Sequence, residues 1–396
     1  MPIIDAALRA LSFAVGMAWE ITWALILGFF LSAAIQAVVS KAEMTRLLPD
    51  DSPRCLTIAS LLGAASSSCS YAAVALARSI FRKGASFTAA MAFEFASTNL
   101  VIELGIILAL LIGWQFTLGE FVGGPLMIAI LAILFRRFLR PSLVEGARRQ
   151  ADRGLKGSME GHAEMDMSVT EGSLRSRITS PAGFTAISHY FVMDWAAIWK
   201  DIAGGLLIAG TLAAWVPHDI WQGLFLTSDP KLAAIWGPFI GPLISLISFV
   251  CSIGNVPLAA VLWNGGISFG GVLAFIFADL IVLPILNIYR KYYGLRMTAF
   301  LGVTFYVAMA GAALVVEFVF GTLGLIPHER AARVVEASIT LNYTTVLNVA
   351  FLVLAAVLVW RFLRTGGPGM LAMMDMTPEE MAGGRVDGRL DRPIPR

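Results

Sequence analysis

The run "SSSCSYAAVALARSIFRKGASFTAAMAFEFA" (residues 66–96) returns 182 residues later as "SFVCSIGNVPLAAVLWNGGISFGGVLAFIFA" (residues 248–278). Aligned without a gap, the two agree at 13 of 31 positions, among them Ser66/Ser248, Cys69/Cys251, Ser70/Ser252, Gly84/Gly266, Ser86/Ser268 and Phe87/Phe269. Shared greasiness alone does not give that many identities, so the pattern points to an internal duplication. Duplicated halves are a common construction for transporters, which hold their substrate where the halves meet.

The surroundings of the repeat set the solvent. The chain is 58% hydrophobic and only 14% charged, with a mean hydropathy of +0.77, far from the range of soluble domains. Apolar stretches of about 20 residues recur along it, the length of helix needed to cross the roughly 30 Å hydrocarbon core. They are too long and too uniformly apolar for barrel strands, so the expected fold class is an all-α integral membrane protein. The formal net charge of +2, with no basic stripe, gives no reason to expect a nucleic-acid partner. Three cysteines, Cys55, Cys69 and Cys251, make an odd count that argues against a disulfide framework. The N-terminal "MPIIDAALRALSFAVGMAWEITW" lacks a basic start and a cleavage site before its apolar run, and reads as part of the first span.

Spans are expected at residues 10–39, 86–114, 117–138, 192–216, 267–289, 297–321 and 340–362. Two further apolar segments, 55–81 and 236–264, are interrupted by small and polar residues. Lys and Arg in short loops stay mostly cytoplasmic. If the interrupted segments enter halfway and turn back, Lys41, Arg46, Arg54, Arg82, Lys83, Arg290, Lys291, Arg296, Arg361 and Arg364 all share the cytoplasmic side, leaving Arg9, Lys231, Arg330 and Arg333 outside. Arms of about 11 residues rising 1.5 Å each reach roughly half the core, so their tips fall near the midplane. The expected architecture is an inverted repeat with two re-entrant or broken helical segments meeting near the midplane. The organisation follows: a first transmembrane repeat (1–138), a cytoplasmic linker (139–190), a second repeat (191–321), an extra C-terminal helix (322–364) and a flexible tail (365–396).

Irregular backbone at membrane depth is tolerated only where protein or a water-filled cavity satisfies it, so the tips "SSSCS" (66–70) and "FVCSIGN" (249–255) suggest a cavity. Cys69 and Cys251 are soft donors suited to Cu(I), Zn(II) or similar thiophilic species, as a tentative metal or solute site. A single membrane cysteine is ordinarily a small packing residue, but recurrence at equivalent repeat positions weighs against that. Ser66, Ser70, Ser252 and Asn255 are expected to line the site, with Asn99 from the following helix. That helix, "FTAAMAFEFASTNLVIELGIILALLIGW", carries Glu94 and Thr98 four residues apart, and Asn99 and Glu103 likewise, each pair expected to share a face. Ionisable groups in a span are costly and normally face the interior or a cavity, which makes Glu94, Glu103 and Asp279 candidates for proton coupling. Asp279 aligns with Ser97 across the repeat. The plain alternative for each acid is an interhelical hydrogen bond.

Absences narrow the chemistry. No G-x-x-x-x-G-K-[ST] loop appears, and neither H-E-x-x-H nor G-x-S-x-G, while His162, His189, His218 and His328 are isolated. An enzyme is not expected, and no cofactor.

"CSYAAVALARSIFRKGASFTAAMAFEFASTNLVIELG" and "VCSIGNVPLAAVLWNGGISFGGVLAFIFADLIVLPIL" resemble the predicted permeases grouped with the bacterial organoarsenical efflux permease, over nearly all the hydrophobic chain. The likeness is carried by the repeated Cys-Ser tips, the Gly-x-Ser/Gly-Phe turn and the "FASTN" helix. It implies a multi-pass permease of the bacterial inner membrane exporting a small thiophilic solute, such as a trivalent arsenical or soft metal ion, with the lipid bilayer as its surroundings and room for a homo-oligomer. Many relatives carry a Pro-x-Cys-x-Cys tip followed by Val-Pro, where this chain has "SSSCSYAAVAL". A substrate needing three thiols is therefore not expected. Two other readings stay open: a carrier for a sulfur-containing anion held by serines and helix N-termini, and a membrane scaffold subunit whose polar groups only pack helices.

Overall fold

The computed structural model describes residues 2–38, 48–66, 70–82, 84–151, 167–169, 173–215, 223–248, 252–333 and 343–373, and among these there is no β-strand. The helices are α1 (Pro2–Val38), α2 (Pro53–Ser66), α3 (Ser70–Arg82), α4 (Phe87–Asn99), α5 (Ile102–Leu111), α6 (Trp114–Phe138), α7 (Pro141–Ala151), α8 (Leu174–Thr179) and α9 (Pro181–Trp215). They continue as α10 (Pro230–Ser248), α11 (Ser252–Gly265), α12 (Phe269–Phe277) with a 3-10 turn (Ala278–Ile281), α13 (Leu283–Tyr293), α14 (Leu295–Thr322), α15 (Tyr343–Arg364) and α16 (Gly367–Met373). Among the described residues six stretches are long and apolar enough to cross a membrane, within α1, α4–α5, α6, α12–α13, α14 and α15. The chain is an all-helical multi-pass membrane protein. The expected span at 192–216 falls in α9, several of whose side chains lie outside the described residues.

The duplication runs through the skeleton at the 182-residue displacement of the sequence repeat. α4 begins at Phe87 and α12 at Phe269. α2 packs on α4 as α10 packs on α12, and α1 lies along α9. The turns recur atom for atom. Gly84 and Gly266 take φ of +115° and +111°, a left-handed conformation that favours glycine. Two residues on, the Ser86 hydroxyl accepts from the Ala89 amide at 3.1 Å, and that of Ser268 from the Gly271 amide at 3.1 Å. Such N-caps stabilise a helix by about 1 kcal/mol. The Gly-x-Ser/Gly-Phe motif thus stops one helix and starts the next in both halves.

α4 and α12 are buried along every residue, so both sit at the centre of the bundle; α12 is apolar all round, whereas α4 carries Glu94, Ser97, Thr98 and Asn99 into the interior. The expected spans at 86–114 and 267–289 each resolve into two helices. After Asn99 the chain leaves the α-helix, with Leu100 at φ −104°, ψ 36° and Val101 extended. After Phe277 it tightens into the 3-10 turn. Backbone groups near the first break are met locally: Ser97 donates to Glu94 O (3.1 Å), Thr98 to Phe95 O (3.3 Å) and Asn99 Nδ2 to Phe95 O (3.2 Å).

The polar stretch expected as a linker carries α7 and α8, and α9 begins at Pro181. α7 is held down by two arginines. Arg148 donates to Phe81 O (2.7 Å) and Ala85 O (3.3 Å), and Arg78 on α3 donates to Ala151 O (2.6 Å). The stretch expected as a tail begins with α16, whose Met370 lies against His189 Nδ1.

Candidate functional site

Ser70 is the first described residue of α3. Its hydroxyl donates to Asp279 Oδ2 at 2.6 Å, joining α3 to the 3-10 turn of the other half. Both side chains are fully buried. Beside them the Tyr289 hydroxyl of α13 donates to Glu94 Oε1 of α4, a second polar bond across the halves. Glu94 and Asp279 lie within electrostatic reach of one another. One acid expected from the sequence, Asp279, thus meets an expected tip serine at a buried junction between the repeats, and a second, Glu94, lies within electrostatic reach of it.

Other candidates sit nearby or apart. Ser66 is buried and donates to Gly63 O at 3.0 Å. Asn255, buried in the first turns of α11, reaches Ser245 Oγ at 3.4 Å. Asn99 bonds Thr98 Oγ1 at 2.9 Å through its amide nitrogen, while its buried Oδ1 has no partner among the described residues. The expected shared face of Asn99 and Glu103 is overturned: the break at Leu100–Val101 puts Asn99 at the end of α4 and Glu103 in the first turn of α5. Glu103 instead presses on α1 at Gly28, where any Cβ would collide with its side chain, and lies within electrostatic reach of Asp194 of α9. Asp194 accepts from Gln36 at 3.1 Å. Glu103 therefore stands with the α1–α9 pair, away from the partners of Glu94.

Cys69, Cys251 and the Ser252 side chain lie outside the described residues. Among the described residues no group of three His, Cys, Asp or Glu side chains could hold a metal ion.

One acid of this region is absent from the sequence-derived candidates. Glu120 of α6 is fully buried and within electrostatic reach of Asp279. Its context, "LGEFVGG" (118–124), holds a Gly-x-x-x-Gly spacing that lets two helix backbones approach closely, and an acid inside it was the available signal. Beyond α6 lies a groove of about 680 Å³ with apolar walls, lined by α2 (Leu56, Thr57, Ser60, Leu61), α6 (Phe121, Pro125) and Leu100 among others. It runs from Pro53 and Arg136 to Leu100, next in the chain to Asn99.

Buried acids and serines shared between two membrane-embedded repeats define the class as a membrane transporter, in which ionisable groups at membrane depth mark solute or ion pathways. A family model described as "Predicted permease" matches residues 6–318, so the chain belongs to the predicted permease family. It is also 64% identical over 343 residues to a Mycobacterium tuberculosis (strain ATCC 25618 / H37Rv) protein named "Putative permease Rv2963", covering 86% of this chain and 84% of that one. No solved structure matches.

Proposed function

We propose that the protein is a proton-coupled secondary permease of the bacterial inner membrane, exporting a small thiophilic solute such as a trivalent arsenical or a soft metal ion. The observation that carries this reading is the Ser70–Asp279 bond. It ties the residue following Cys69 to the buried acid of the opposite repeat, so a solute held at the tip and a proton held at Asp279 share one junction. Cys69 and Cys251 are the soft donors that select the solute. Ser66, Ser70, Ser252, Asn255 and Asn99 line its path, and Glu94 and Asp279 exchange the proton. In this reading the halves are inverted in the membrane, and the interrupted segments bring their tips to mid-depth from opposite faces, which supports alternating access around a fixed site.

A second reading is a carrier for a sulfur-containing anion, held by the serines and helix N-termini expected at the tips.

The test is a growth and accumulation screen in a bacterial strain stripped of its own exporters, challenged with methylarsenite, phenylarsine oxide, copper, zinc, sulfite and thiosulfate. The first reading expects protection against a thiophilic solute, lowered cell content of it, and loss of both in Cys69→Ala/Cys251→Ala. Anion transport that survives the double substitution establishes the second reading instead. A folded, membrane-inserted protein that moves none of the six overturns both.

A further inference from the structure

We propose that Glu120 is a proton-binding residue of the permease, holding a proton in the arrangement seen here and releasing it when the junction between the halves opens. The proposal deepens the reading above, because it names a carrier for the coupling ion.

The argument starts from how α6 meets the other half. At Gly119 a Cβ would lie 2.8 Å from Leu273 Cδ1 and 3.0 Å from Phe269 Cζ; at Gly123 it would lie 2.6 Å from Phe277 Cζ. Contacts this close mean that α6 lies against the side chains of α12, which would have to move to admit any larger residue at those two positions. Glu120 stands between them in the chain and is carried into the interior with no exposed surface. Both of its carboxyl oxygens are buried without a hydrogen-bond partner among the described residues.

A structural acid in this protein looks different. Glu317 on α14 accepts from the Gly270 amide at the N-terminus of α12 and faces Arg330, and Asp51 pairs with Arg136 at 3.2 Å. Glu120 has no such partner. An unpaired ionised carboxylate in an apolar interior costs several kcal/mol, so the group is neutral here and its proton is the thing it holds. Even the neutral acid keeps an O–H that wants an acceptor, which makes the site incomplete until water or a neighbouring carboxylate reaches it.

The ionisable groups on the surrounding elements agree with this. Asp279 of the 3-10 turn is within electrostatic reach, with Ser70 of α3 bonded to it. Glu94 of α4 holds Tyr289 of α13, and Tyr293 lies beyond. Glu103 of α5 is engaged at α1, and Glu317 of α14 caps α12. Arg78 on α3 is engaged by Ala151 O and by the Tyr292 ring, 4.6 Å from its centroid. No described cation faces Glu120. In the other half the matching position is Gly302, so the proton site is present once and not twice.

Infrared titration of the full-length protein in lipid nanodiscs tests this without any solute. The wild type should show a protonated-carboxyl band at pH 7 to which Glu94, Glu103 and Asp279 also contribute; in difference spectra one component of it is lost in Glu120→Gln and shifted in Glu120→Asp. The band should stay in Glu317→Gln, whose carboxylate is capped. An unchanged band in Glu120→Gln overturns the proposal. If Glu120→Gln fails to fold, the Glu120→Asp protein decides: a band that does not shift overturns it equally. A Glu120 band in a protein that transports nothing in the solute screen leaves the proton site standing and removes the transport reading.

Discussion

In the first half, Arg148 reaches the carbonyls of Phe81 and Ala85 and lays its guanidinium 4.1 Å over the Phe81 ring; in the second, Arg330 reaches those of Trp263 and Ile267 and lies 4.2 Å over the Trp263 ring. Every partner is displaced by the same 182 residues, so the duplication preserved individual hydrogen bonds. The contents of the two frames differ. Glu94 and Glu120 have Ile276 and Gly302 as counterparts, and Asp279 has Ser97. Where the first half has the groove between α2 and α6, the second has Tyr306 donating to Phe239 O at 3.0 Å, which binds α14 to α10. The repeat supplies two matching scaffolds, and divergence placed the acids unequally between them.

The largest effect is expected where the halves touch. Gly123 corresponds to Phe305, which meets Phe95 edge-on with ring centroids 4.5 Å apart; Gly123 itself meets the Phe277 ring. Gly123→Phe copies the second half into the first and forces α6 off α12. Overpacking of this size should cost about 3 kcal/mol, read as lost folded yield and a lower melting temperature. Wild-type stability in that variant would show that the close α6–α12 contact is dispensable.

Next comes the exchange Ser97→Asp/Asp279→Ser, which moves the acid to its mirror position. If the halves were interchangeable, the protein would work as before. At position 97 the carboxyl would lack the counterparts of Glu94 and Tyr289, which are Ile276 and Ile107. Loss of the charge-assisted Ser70 bond should lower stability by about 2 kcal/mol, and solute flux in proteoliposomes should fall to that of empty vesicles.

The two arginines should behave alike with smaller losses. Arg148→Gln and Arg330→Gln each remove two carbonyl contacts and a cation–ring contact, about 1–2 kcal/mol apiece in thermal melts. The Arg330 change should be the larger. Burial pulls that guanidinium below its ordinary value while Glu317 opposes the shift, so removing the arginine also leaves Glu317 without its cation. Equal losses would show that the Glu317 contact contributes nothing.

Much of this was legible from residues alone. Gly84/Gly266 and Ser86/Ser268 announced the turns, and the greasy windows announced the membrane fold. The acids Glu94 and Asp279 stood out because a charge in a span is conspicuous. The break after Asn99 did not, because hydropathy averages over it and Thr98 and Asn99 satisfy the backbone with their own side chains. Glu120 was less conspicuous for a different reason: the Gly119-x-x-x-Gly123 spacing around it was the one signal in the sequence, and its burial depends on the tertiary approach of α12 to those glycines. The helix α7 escaped notice because its stretch is polar, and its anchoring rests on Arg148 and Arg78 meeting carbonyls far away in the chain.

The smallest structural change tests the groove. Thr57 corresponds to Phe239, and Thr57→Phe places a ring where the second half already has one. Thr57 is exposed at the groove wall, so the substitution should alter stability by no more than about 0.5 kcal/mol. Its effect belongs to transport. If the halves alternate as proposed above, with α2 closing on α6 as α10 parts from α14, a ring at position 57 should favour the closed side of that exchange. A bias of about 1 kcal/mol between the two arrangements changes their ratio about fivefold. Solute flux should drop by about that factor while solute binding to the detergent-solubilised protein stays intact. Flux that is unaffected would mean that the groove is a packing difference between the halves and takes no part in the cycle; flux and binding lost together would place the groove on the solute's path.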